Sequence, residues 1–114
     1  MSFDYAYEKF FLAIMGMAQS KKKLRERIED AYVYHPIHVR NEDIPDNYRS
    51  DFRSLKELMT SRPARFPYEG RVRATTQQMS PRQLEDAARL IVGLFDAVTA
   101  AYHERQDKLG FPRG

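Results

Sequence analysis

At 114 residues, 42% hydrophobic and 31% charged, the chain carries enough apolar material for one domain with one core, and it lies away from the composition of disordered segments. Its formal charge of +3 comes with an excess of arginine over lysine, which permits an anionic partner without demanding one. The absence of cysteine excludes disulfides, thiolate metal sites, cysteine nucleophiles and iron–sulfur clusters.

Taken in chain order, the first predicted element is a helix over 3–18. Ser2 is its expected cap, and Phe3, Tyr7, Phe10, Ile14 and Met17 form its apolar stripe. Phe11, Leu12, Ala13 and Met15 widen that stripe most of the way round, as expected for a helix in the middle of a bundle or across a subunit interface. The apolar run from Phe10 to Ala18 is about half the length of a bilayer span, and Asp4 and Glu8 precede it where a secretory signal would be basic. No membrane helix and no leader are expected, and the expected location is cytoplasmic.

Ser20 is the expected cap of a second helix, whose stripe of Leu24, Ile28, Ala31, Tyr32 and His35 runs to Pro36. Proline excludes the preceding residue from helical geometry, so this helix should stop near Tyr34. The alternative is one long rod bent near Gly16. A polar connection follows over 37–47, with a turn at Asp43-Ile44-Pro45. A third helix is then marked by Tyr48, Phe52, Leu55, Leu58 and Met59 and closed by Arg62-Pro63.

Residues 63–79 contain prolines and a glycine and show no hydrophobic period, so an irregular loop is expected there, either functional or mobile. The strongest signal comes next. Ser80, Pro81 and Gln83 spell a capped helix start, and Leu84, Ala87, Ala88, Ile91, Leu94, Phe95, Val98, Ala101 and Tyr102 share one stripe. The helix should run from Pro81 to about Gln106, with 106–114 as a frayed tail. The expected fold is an all-α, four-helix bundle-like single domain over 1–114, with a long C-terminal helix and an irregular loop before it.

That last helix is long for so short a chain, and a homodimer would cover what the other segments leave bare. Aromatic residues also exceed what a small core needs, and Tyr32, Tyr34, Phe66 and Tyr68 either cover the ends of the bundle or form a contact surface. Arg62, Arg65, Arg71, Arg73 and Arg82 stand against one acid, Glu69, with the last two rings among them. Arginines interleaved with rings suit single-stranded nucleic acid, and equally a loop that pins itself to acidic helix faces. The run Lys21-Lys22-Lys23, with Arg25 and Arg27, does not keep to one helical face and is closely followed by Glu29 and Asp30, so it reads as a solvated surface.

Chemistry is weakly represented. Zinc would need three or four fixed ligands, and His35 and His38 are separated by a proline that removes helical spacing. Arg40-Asn41 opens like an arginine-polar-histidine ribonuclease motif, but no histidine follows through Tyr48. The pairs Glu29-Asp30 and Glu85-Asp86 point to different sides of a helix, and no phosphate loop or nucleophile elbow is present. Thr75 to Gln78 should close the loop over the bundle end. Neither catalysis, metal nor cofactor is expected. The expected function is that of a small helical protein–protein interaction or scaffold protein that self-associates, engaging another protein through the aromatic end and the loop. The alternative is a nucleic-acid-associated accessory protein acting through residues 62–73.

Overall fold

The computed structural model describes residues 3–110 and contains five α-helices and no strand among them. Helix α1 spans Asp4–Gln19, α2 Leu24–Tyr34, α3 Arg49–Met59, α4 Arg71–Gln78 and α5 Pro81–Lys108. Three single turns of 3-10 helix, at Pro36–His38, Asn41–Asp43 and Asp46–Tyr48, carry the chain from α2 to α3. The all-α class is as expected, whereas the four-helix count is corrected by α4.

Helix α5 starts as its sequence dictates. The Ser80 hydroxyl accepts from the Gln83 N–H, the Gln83 side chain accepts from the Ser80 N–H, and Pro81 occupies the first turn. Leu84, Ala87, Ile91, Leu94, Ala97 and Val98 are buried along one side, so the rod lies across the whole core. It runs through Lys108, two residues past the expected end near Gln106, and the expected tail from Phe111 lies outside the described residues.

Helix α1 buries Ala6, Phe10 and Ala13 and runs antiparallel to α5, since Tyr7 meets Tyr102 while Phe11, further along α1, meets the earlier Phe95. Tyr7 stacks on Tyr102 with ring centroids 4.4 Å apart, and Phe10 meets Phe52 of α3 edge-on at 6.1 Å. Ser2, the expected cap, lies outside the described residues. Helices α1 and α2 are separate, not one bent rod. The Ser20 N–H closes onto the Gly16 carbonyl at 3.1 Å, and Ser20 and Lys23 are extended. Ser20 therefore ends α1 instead of capping α2, its hydroxyl accepting from the Lys22 N–H.

Helix α3 begins one residue after Tyr48, which is exposed rather than part of the buried stripe. It ends at Met59, ahead of Arg62-Pro63. Phe52, Leu55 and Met59 point inward. Val39 and Ile44, from the connection read as polar, are also buried, and one cluster of buried side chains draws on all five helices.

The largest departure is in residues 63–79. Arg71–Gln78 is helical although its side chains have no apolar period, because bonds from elsewhere complete it. Arg25 of α2 donates to the Thr76 carbonyl and, at 2.9 Å, to the Met79 carbonyl, satisfying acceptors at the end of α4. The Thr76 hydroxyl donates to the Glu29 carboxylate at 2.6 Å. Arg25 is thus structural, not part of a solvated basic surface.

Candidate interaction surface

Between α3 and α4 the chain makes an ordered excursion organised by two buried side chains. Glu69 sits with its carboxylate out of solvent, accepting from the Arg65 backbone N–H at 2.8 Å and from the Arg65 guanidinium. The adjacent guanidinium holds the Glu69 carboxyl below the usual carboxylate range, and the carboxylate in turn raises Arg65. Thr75 accepts from the Arg62 N–H at 2.9 Å and donates back to the Arg71 carbonyl at 2.8 Å. Thr75 therefore ties the start of the excursion to α4, and Glu69 closes the loop on itself.

At its tip the rings face water. Phe66 is half exposed, and Tyr68 is fully exposed with φ at 70°, in the left-handed region that side-chain-bearing residues seldom adopt. Gly70, with φ at 80°, supplies the turn into α4 without a Cβ penalty. A bulky ring held strained and wholly in solvent contributes nothing to the core. Such positions concentrate where a chain meets ligands.

Beside the tip, an open groove of about 490 Å³ runs between α2 and the start of α4. Val33, Ile37 and Val72 provide apolar surface, and Glu29, Glu69, Arg71 and Arg73 provide polar groups. The Arg73 guanidinium lies 3.4 Å from the Glu29 carboxylate, so both of the groove's acids face an arginine. No described carboxylate engages Arg62 or Arg71. The groove is apolar, and of its four lining charges Arg71 alone has no ion-pair partner among the described residues.

The expected site residues divide accordingly. Arg62, Arg65, Phe66, Tyr68, Arg71 and Arg73 share this region, but Arg65 and Arg73 are engaged by carboxylates. Tyr32 is not a surface residue. It is buried, and burial pushes its phenol up to about 12. Tyr34 is exposed but lines a different cavity, of about 220 Å³, with Gly16, Arg27 and His35. Val33 at the end of α2 and Ile37 in the turn after it line the groove, and as lone aliphatic residues they carry no sequence signal of a site.

A second exposed apolar area lies where α1 meets α5. Phe11, Leu12 and Met15 of α1 and Val92 of α5 are all open to solvent, and Phe11 and Phe95 have ring centroids 6.4 Å apart. Among the described residues no group of three or more His, Asp or Glu lies close enough to hold a metal ion, and no helix is long and apolar enough to cross a membrane.

The fold and these surfaces define an all-α protein with an aromatic loop tip and two exposed apolar areas. A scan against protein-family models, a search of curated proteins and a search of solved structures each found no match to the chain.

Proposed function

We propose that this chain is a non-catalytic, cytoplasmic helical interaction protein that self-associates and takes a segment of another protein in the groove beside Tyr68. The observation that carries the reading is the pairing of a strained, fully exposed Tyr68 with an apolar groove of Val33, Ile37 and Val72. Its occupant would offer apolar side chains to the groove and a carboxylate to Arg71, whose guanidinium presents a fork suited to that group. Peptide display against the protein tests this. Enriched peptides should combine acidic and bulky apolar residues and lose binding to Val33→Asp and to Arg71→Glu. Failure to enrich any motif, or binding indifferent to both changes, would remove the groove reading.

Arg62 and Arg71, free of carboxylates beside Phe66 and Tyr68, support nucleic acid as the second reading. It requires a single-stranded oligonucleotide to bind in low salt, weaken steeply as salt rises, and fail with Arg62→Gln/Arg71→Gln. No binding in low salt would dispose of it.

A further inference from the structure

Gly93 stands in the middle of a 28-residue helix, and a Cβ built there meets no heavy atom within 4 Å. Glycine is the poorest helix former after proline, and nothing inside this chain requires one at that position. It lies on the outer side of α5 with Arg89, Val92, Asp96 and Ala100, all of them exposed. The missing side chain would matter to something approaching from outside.

Arg89 and Asp96 are seven residues apart, two turns along the same face, and neither forms an ion pair with another described residue. They are equidistant from the Val92–Gly93 peptide bond. If a second α5 crosses antiparallel about a two-fold axis through that bond, each Arg89 lies opposite Asp96 of the other copy. The same register sets Glu85 against Ala100, so no acid meets an acid. A parallel crossing would instead place Arg89 on Arg89 and Asp96 on Asp96, and like charges reject it.

The charges thus favour a copy of this chain, in one orientation. The flanking surface agrees, because Phe11, Leu12 and Met15 of α1 and Val92 of α5 are all exposed, Phe11 lies against Phe95 of α5, and the same contact would cover this apolar surface. We propose that two copies pair about a two-fold axis at Val92–Gly93, through the exposed outer side of α5, with reciprocal Arg89–Asp96 ion pairs. This rests on the self-association reading above and supplies its face, orientation and register.

Sedimentation equilibrium over a dilution series, on the full chain and its charge variants, tests the pairing. The wild type should be a dimer that dissociates on dilution. Arg89→Asp and Asp96→Arg should each raise the dissociation constant by about tenfold or more, and the two together should return it to within about threefold of wild type. Gly93→Leu should give a monomer. All three positions are exposed, so unchanged circular dichroism serves as the folding control. A wild type that stays monomeric at high micromolar concentration overturns self-association itself. A dimer indifferent to the reversals and to Gly93→Leu overturns only this face. Loss in the single variants without recovery in the double overturns the register.

Discussion

The Thr76 hydroxyl donates to the Glu29 carboxylate at 2.6 Å, joining a buried residue of α4 to a half-buried one of α2 across 47 positions of sequence. Arg73 approaches the other carboxylate oxygen at 3.4 Å, so Glu29 serves two residues of α4 at once. This carboxylate, together with Arg25, holds in place a helix whose only apolar side chains are Val72 and Ala74.

Replacing Thr76 by valine keeps the shape and removes the donor, leaving a charged acceptor short of a partner. We expect a loss of about 1.5–3 kcal/mol in urea denaturation, the range for a hydrogen bond to a charged group. Amide exchange should accelerate first within α4. A loss spread evenly over the molecule, with α4 no more exposed than the rest, would contradict the bracing role given to this bond.

Gly93→Ala should have the opposite sign. The new methyl meets nothing within 4 Å, and alanine is favoured over glycine by about 1 kcal/mol inside a helix. Denaturation of a sample dilute enough to be monomeric should show that gain. A destabilised monomer would mean that the outer side of α5 is closed in a way these contacts do not reveal.

Tyr68→Gly separates folding from binding. Glycine adopts φ of 70° freely, which relieves about 1–2 kcal/mol of strain and returns about 1 kcal/mol as added freedom in the unfolded chain. The thermal midpoint should therefore hold or rise slightly, while affinity for a display-selected peptide falls. Retained affinity would show that the ring is not part of the surface.

His35 should make stability depend on pH. Burial first, then the charges of Lys9 and His38, lower it from its ordinary 6.5. Arg27 and Asp30 line the same cavity, and the His35 Nδ1 is buried there with no hydrogen-bond partner among the described residues. In the folded state His35 takes up a proton less readily than in the unfolded chain. Its neutral form costs nothing above 6.5, and stability is lost as pH falls below that value toward the depressed one. Denaturation midpoints compared between about pH 7 and about pH 5 should fall less in His35→Gln than in wild type. Parallel slopes would rule the residue out as a source of the dependence.

Several parts of the structure were legible in the residues. The stripe from Leu24 to Tyr32 already contained Tyr32, and its burial follows from that period; its neighbour two positions on, Tyr34, projects elsewhere because two residues turn a helix by about 200°. Phe66 and Tyr68 belong to no helical period, and only the structure shows that both rings stand in solvent instead of covering the end of the bundle. The groove beside them was not legible either, since Val33 and Ile37 come from α2 and its following turn while Val72 comes from α4. Ser20 misled because a serine at a helix boundary suits either end, and only the bond from its own N–H to the Gly16 carbonyl shows which.

By itself the sequence determined α5, with its capped start and its buried stripe, since caps and periods act between residues three or four apart and need no knowledge of the rest of the chain. In α1 the same period located the helix, with Phe10 and Ala13 but not the buried Ala6, and in α3 it found Phe52, Leu55 and Met59 but also took in the exposed Tyr48. Tertiary structure alone decided that Arg71–Gln78 is helical and that Arg73 pairs with Glu29, just as it set Arg25 across 54 positions against the Met79 carbonyl. Those outcomes depend on which distant charges and carbonyls are brought together when the apolar faces close, and no local pattern encodes that meeting.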